Sequence, residues 1–395
     1  MRIGVNCLNL NASFVGGLNS FTLGLLEGFA CSANGHQFRL YATEGNQRLF
    51  ESLSNRKGFE IVVLRDRTFS TRKSLCRAAL LSFNERIYEF VSNQLFRGIR
   101  KLMEDDSDLI YTPSVVLQSF DGKKPTLLSM HDIQHVHYPE FFNWTRRLSR
   151  RITYGLSARH ACFFQASSEF IKRDLLQHFE CITPEQVVVI HEGVRVEQFA
   201  TPIDTSALFA RYDIPDRFLL FPGQLWPHKN HMTLLRALKE VEASSALRIP
   251  LVLTGGAYTA LPEVRKYLFD QSMNYVHYLG KVPLVDLIGL YQKAACLVMP
   301  SLHESNSLPI LEAAAAGTPV IASRIPPNEE LDRVFRLNLF DALNHRALAE
   351  LLVNLWSDEP TGRAQAEHNR RQVQCYSWEN ASRKYLNLFE SMLNA

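Results

Sequence analysis

Short apolar runs recur along the chain, and most are followed by a longer stretch whose apolar positions have helical spacing. Runs at 2–8, 38–43, 60–64, 108–113, 125–130 and 187–190, and one opening at Ala161, have the length of buried parallel strands. A second series lies at 218–222, 251–256, 276–282, 296–299 and from Val320 to Ala322. Between them the periodicity predicts helices over 19–29, 68–104, from Glu169, and over 232–241, 284–293, 309–316, 346–356, 362–373 and 377–393. The segment 197–216 is polar, is broken by Pro202 and Pro215, and reads as a linker; Ile325–Glu330 reads as a loop. The pattern is α/β with parallel sheets. The 395 residues exceed one ordinary domain, which predicts two, over 1–200 and 216–376.

The most informative stretch is Ala295–Ser323. An apolar strand ends at Pro300, a small polar loop Ser305-Asn306-Ser307 follows, Pro309 opens a helix, and Gly317 closes it before the next strand. Glu304 stands on the loop, and Glu312 is placed in the first helical turn. In an open α/β sheet, ligands gather beyond the carboxyl ends of the strands, where a helix N-terminus offers free N–H groups to an anion. The amides of Ser307 and Leu308 fit a phosphate there, with the carboxylates accepting from hydroxyls on either side: the outline of a nucleotide sugar. The plain alternative is that Glu312 compensates the helix dipole and Glu304 is solvated.

Three other places carry chemistry. Gly16-Gly17 follows the first strand and precedes a helix, so the backbone there can approach a phosphate or sugar closely, or simply turn. His131-Asp132 ends a strand; His131 suits a hydroxyl, with Asp132 orienting the ring. Lys229 stands beyond a strand and just before a helix, a compact charge for a diphosphate. His131, His135 and His137 share one loop, but no carboxylate or cysteine cluster accompanies them, so no metal is expected.

The string P-S-L-x-E-x-x-x-L-P-x-L-E-A-x-A-x-G-T-P-V-I-A-S, from Pro300 to Ser323, resembles the signature of the family-4 retaining glycosyltransferases, the GT-B type with two Rossmann-like doubly wound domains facing across a cleft. Gly-Gly after strand one, His-Asp at 131, Lys-Asn at 229 and the "F-x-G-x-V"-like 278–282 match that family as well. The resemblance implies a nucleotide-sugar donor on the second domain, with Glu304 on the sugar, Glu312 on the ribose, and Lys229 with the Ser307 and Leu308 amides on the diphosphate. Backbone at Lys281 and Val282 would meet the base, and His131 would hold a sugar hydroxyl. Gln224 stands where the family has arginine, with His228 and His231 as candidates to replace the missing charge. Ser305-Asn306-Ser307 replaces the family's Gly-Phe-Gly. The acceptor, a glycan or lipid-diphosphate-linked chain, would lie on the first domain near Gly17. The segment 377–395 would cross back onto that domain. The chemistry needs no metal and no cofactor beyond the sugar nucleotide. The W-P-H-K-N variant points to a mannose or rhamnose type donor for lipopolysaccharide or another surface glycan. A hydrolase or epimerase of the same fold, or a binding protein that has lost turnover, are the alternatives.

Composition narrows this further. No apolar run approaches the ~20 residues of a membrane span, strand one begins at once with no secretory leader, and the seven cysteines show no C-x-x-C spacing. A cytoplasmic protein is expected. The net charge of +3 gives no reason to expect nucleic acid. The charge is uneven, however. Eleven basic residues between Arg56 and Lys101 face only Glu60, Asp66, Glu85 and Glu89, and Arg146, Arg147, Arg150, Arg151 and Arg159 form a run without an acid. Aromatics interleave both. Such faces fit an anionic membrane or a diphosphate-lipid acceptor, or are ordinary solvated helix surface.

Overall fold

A computed structural model describes residues 1–12, 16–32 and 35–394. The chain divides into two units, Met1–Gly193 with Trp378–Ala395, and Val194–Ser377. In the first, strands β1 (Arg2–Asn6), β2 (Gln37–Thr43), β3 (Phe59–Leu64), β4 (Leu109–Thr112), β5 (Thr126–Met130), β6 (Phe163–Ala166) and β7 (Val187–Val189) form one sheet in the order β3-β2-β1-β4-β5-β6-β7. In the second, β8 (Leu219–Pro222), β9 (Leu251–Thr254), β10 (Val276–Tyr278), β11 (Cys296–Met299), β12 (Val320–Ser323) and β13 (Asn338–Phe340) run β10-β9-β8-β11-β12-β13. Every strand pair is parallel. Helices cover both faces of such sheets, so β4, β8, β9, β11 and β12 are buried throughout and read as unbroken apolar runs. Strand order reverses between β1 and β4, and between β8 and β11; the loops leaving those strands diverge there and leave room for a ligand.

Several elements differ from expectation. The linker segment folds. Helices Val196–Ala200 and Ser206–Tyr212 belong to the second unit, where Arg211 and Tyr212 both donate to Asp286 (2.7 and 2.6 Å) and Phe199 is buried. Pro202 and Pro215 fall outside these helices rather than within them. The stretch 325–330 is mostly helical, Pro326–Asp332, since prolines in a first turn lack only an N–H the helix leaves unused. Strand β13 is three residues long and opens on Asn338, too brief for periodicity to mark. The segment 68–104 is two helices, Asp66–Leu80 and Glu85–Asp105, parted at Phe83, whose φ is +59°. Asn84 caps the second by accepting from the Arg86 and Ile87 amides.

In the first unit the terminal helix Trp378–Asn394 lies on the first helix, Gly17–Ser32. Two glycines permit the contact. A Cβ on Gly24 would stand 2.2 Å from the Trp378 ring, and one on Gly28 would stand 2.3 Å from the Trp378 carbonyl oxygen. Tyr385 then reaches the sheet, where its hydroxyl joins those of Tyr111 and Ser129.

Candidate active site

In the second unit, the loops leaving β8 and β11 meet at the point where strand order reverses. Asn230, in a left-handed conformation (φ +57°), fastens them. Its amide donates to the carbonyls of Pro300 (2.9 Å) and Ala342 (2.8 Å), and its carbonyl accepts from Thr233 (2.9 Å). Asn tolerates this conformation better than other side-chain-bearing residues. The Leu302 amide donates to the His228 carbonyl at 2.7 Å. This stapling brings Lys229 and Glu304 together, Nζ to Oε1 at 2.6 Å, with side chains only 16% and 11% exposed. Burial raises the Glu304 pKa, but the Lys229 charge and hydrogen bond outweigh it, with His228 adding to the effect, and hold the carboxyl below its ordinary value.

Ser307 precedes the helix Leu308–Ala316 in a left-handed conformation (φ +48°), where a glycine would sit without strain. Its hydroxyl does not cap the helix; it donates to Asn328 Oδ1 at 2.6 Å, and Asn328 donates to the Ser323 carbonyl at 2.8 Å. The serine therefore keeps the glycine-like backbone and leaves the first-turn amides at Ser307 and Leu308 facing outward from the helix end. Glu312 departs from expectation. Proline at the second helical position puts it in the second turn, away from the free amides, and no acid occupies the first turn. Its Oε2 accepts from the Tyr291 hydroxyl at 2.6 Å. Burial pushes the Glu312 pKa up against that bond and the charge of Arg195.

Gln224 does not supply a charge to the loop. Its Oε1 accepts from Trp226 Nε1 (2.9 Å), and the Trp226 ring stacks on Tyr258, centroids 4.1 Å apart. His231 does not replace the missing arginine. Its ring turns inward onto Phe221 (4.5 Å), neither nitrogen has a partner among the described residues, and burial with the nearby Lys229 charge lowers its pKa to about 3, so it is neutral. Lys281 and Val282 lie in the loop beyond β10, which ends four residues earlier than expected. The Gly255 amide donates to the Gly280 carbonyl (2.7 Å), joining the β9 and β10 loops.

In the first unit, His131 directly follows β5. Its Nε2 donates to the Pro113 carbonyl at 2.9 Å, which leaves Nδ1 as an acceptor 3.9 Å from Glu192 Oε1. Burial lowers the His131 pKa, so the ring is neutral. Asp132 does not orient it; that carboxylate accepts from the Gln134 amide (3.0 Å) and lies 3.7 Å from Arg150. The three histidines of the loop diverge. His135 packs on Tyr154, and His137 Nε2 sits 2.8 Å from both oxygens of Asp174. Among the described residues no cluster of histidine, cysteine or acid could hold a metal. Gly17 begins the first helix. Its φ is not left-handed, and none of the described residues lies within 4 Å of a Cβ placed there, so they do not require glycine at this position. Ser13–Val15 of the same turn lie outside the described residues.

Sequence reasoning singled out Lys229, Glu304 and His131, and did not single out Asn230, Tyr291 and Asn328, which hold their surroundings. The Asn230 and Tyr291 partners stand 70 and 21 residues away, and only the folded sheet brings them near.

Comparison with known proteins gives the family. A family described as "Glycosyltransferase Family 4" matches residues 15–198, and one described as "Glycosyl transferases group 1" matches 216–358. The O-antigen chain mannosyltransferase B of Escherichia coli is 30% identical over 271 residues, 66% of this chain and 69% of that protein. The D-inositol 3-phosphate glycosyltransferase of Corynebacterium diphtheriae is 30% identical over 226 residues, covering 53% of this chain and about half (52%) of its relative. HepE of Anabaena, solved with UDP and glucose, shares the fold with a TM-score of 0.75 over 99% of this chain and 100% of its own, at 18% identity. Two parallel doubly wound units together with these relatives define a glycosyltransferase of the GT-B type. The chain belongs to glycosyltransferase family 4.

Proposed function

We propose that the second unit binds the nucleoside diphosphate of a mannose or rhamnose type donor, and that the sugar passes with retention, and without a metal, to a glycan or lipid-diphosphate-linked acceptor of a surface polysaccharide. The observation that carries this is the buried Lys229–Glu304 pair beside the helix N-terminus at Ser307 and Leu308. Lys229 carries three donor hydrogens and spends one on Glu304, leaving others for diphosphate oxygens. As the bond from the anomeric carbon to the diphosphate oxygen breaks, negative charge gathers on the leaving group, where the lysine and the helix amides stabilise it. The acceptor hydroxyl attacks the same face of the sugar and gives its proton to the departing phosphate, so the step balances without a protein nucleophile. Glu304 holds Lys229 in place and accepts from a sugar hydroxyl through its second oxygen. Glu312 and the Tyr291 hydroxyl form a polar pair suited to ribose hydroxyls, and neutral His131 suits exchange of a hydrogen bond with a hydroxyl. The mannose reading draws support from the E. coli O-antigen enzyme. We further propose cytoplasmic action at the membrane surface through the basic helices of the first unit; among the described residues no helix is long and apolar enough to cross a membrane.

Calorimetric titration with GDP, UDP, dTDP and ADP in metal-free buffer tests the donor site. One nucleotide should bind, and Lys229→Met should weaken it by about tenfold to a hundredfold, the worth of a charge-assisted hydrogen bond. Binding of none of the four would overturn the site.

A further inference from the structure

The first unit exposes large apolar side chains where its basic helices meet. Leu81 and Phe83 form the turn between helices Asp66–Leu80 and Glu85–Asp105, and Phe83 is 62% exposed. Its ring lies parallel to that of Trp144, at 6.0 Å and 7°, and Trp144 opens the helix Trp144–His160 and is 61% exposed. Ile87 and Phe90 continue the apolar surface along the second helix, Phe90 at 65% exposure. Phe83 holds a left-handed backbone, a costly conformation for a bulky side chain that persists where the surroundings enforce it. A chain selected only for stability would place Gly or Asn there and bury the aromatics.

Arginines flank this tip. Arg147 and Arg151 share the Trp144 face of their helix at three- and seven-residue spacing, and Arg86 and Arg97 lie one turn and two turns from Phe90 on the other. All four are exposed, and none has an ion-pair partner among the described residues. Where Glu85 and Glu89 could neutralise the surface they are taken, by Arg159 and His160. Exposed aromatics ringed by unpaired cations match a layered partner, apolar just beneath an anionic surface.

We propose that the Leu81–Phe83–Trp144 tip inserts into the interface of an anionic bilayer while Arg86, Arg97, Arg147 and Arg151 rest on its phosphates. This rests on the membrane reading given above and names the wedge that performs it. The test is co-sedimentation of the full chain with vesicles of phosphatidylcholine alone, and of phosphatidylcholine with phosphatidylglycerol. The protein should bind the anionic vesicles and not the neutral ones, less so as salt rises. Phe83→Asn and Trp144→Ser should each lower partitioning about tenfold, and Arg147→Gln or Arg151→Gln about fivefold. Asn accepts the left-handed conformation, so Phe83→Asn should melt no lower than the parent chain, which separates loss of docking from loss of folding. If the parent chain ignores anionic vesicles, both the wedge and the membrane reading fall. If it binds but the Phe83 and Trp144 variants bind equally, the wedge alone falls. If sedimentation instead shows a dimer that Phe83→Asn dissociates, with no vesicle binding, the surface joins two copies and the proposal is overturned.

Discussion

His231 is buried with neither ring nitrogen partnered among the described residues; burial and then the charges of Lys229 and His228 lower its pKa to about 3, and its ring packs on Phe221. The unfolded chain binds a proton near pH 6.5 that the folded chain refuses, so stability is full above that pH and declines as pH falls toward 3, by up to about 1.4 kcal/mol per pH unit. His135, lowered to about 4 by burial and then Arg150, acts in the same window. Glu304 acts elsewhere: its folded pKa is depressed, so its contribution is complete above the ordinary carboxylate range and fades only as pH falls below it. His131, lowered by burial, adds to the effect of both histidines. His231→Phe should therefore lessen the fall in melting temperature between pH 6.5 and 5, leaving the shares of His135 and His131. An unchanged slope would show that the ring finds a proton acceptor in solution. Nothing in the sequence marks His231 as buried rather than basic. It adjoins Lys229 in a polar string, and only the packing of Phe221 decides which way the ring turns. Lys229 and Glu304, by contrast, were legible because each sits in a compact local motif.

At the level of elements, most strands and helices followed from apolar spacing, since parallel strands buried on both faces have nothing polar to hide. The failures share a cause. Helices 196–200 and 206–212 are short and carry mixed composition, and tertiary partners such as Asp286 stabilise them rather than local propensity. The return of the last segment onto the first domain came from the family resemblance and holds, but its seat on the glycines of the first helix was not legible, because glycine in a helix ordinarily signals weakness. Gly28→Ala should lower stability by about 2 kcal/mol, since the added methyl meets backbone rather than a flexible side chain. Gly17→Ala in the same helix meets none of the described residues and should cost no stability, measured by urea unfolding. If Gly17 nonetheless matters for transfer, its glycine serves a ligand and not the fold.

On the scale of the whole molecule, two parallel-sheet units were legible from length and alternation and the GT-B plan from the family resemblance, while the division was not. The sequence placed the break in the proline-bearing segment after residue 200, whereas the units part at Gly193 and Val194. The first unit is discontinuous, closed by Trp378–Ala395. A chain ending at Ser377 should unfold in two steps, its second unit unaltered and its first melting earlier and less cooperatively, as followed by hydrogen exchange. A single unchanged transition would show that the terminal helix is dispensable. The arrangement also governs how the protein is made. On the ribosome, residues 1–193 emerge with the surface around Gly24 and Gly28 uncovered, and the 184 residues from Val194 to Ser377 must be synthesised before the helix that covers it appears. At ordinary elongation rates that is a wait of about 10 to 40 s, long enough for the second unit to fold first and for a nascent-chain chaperone to occupy the open groove.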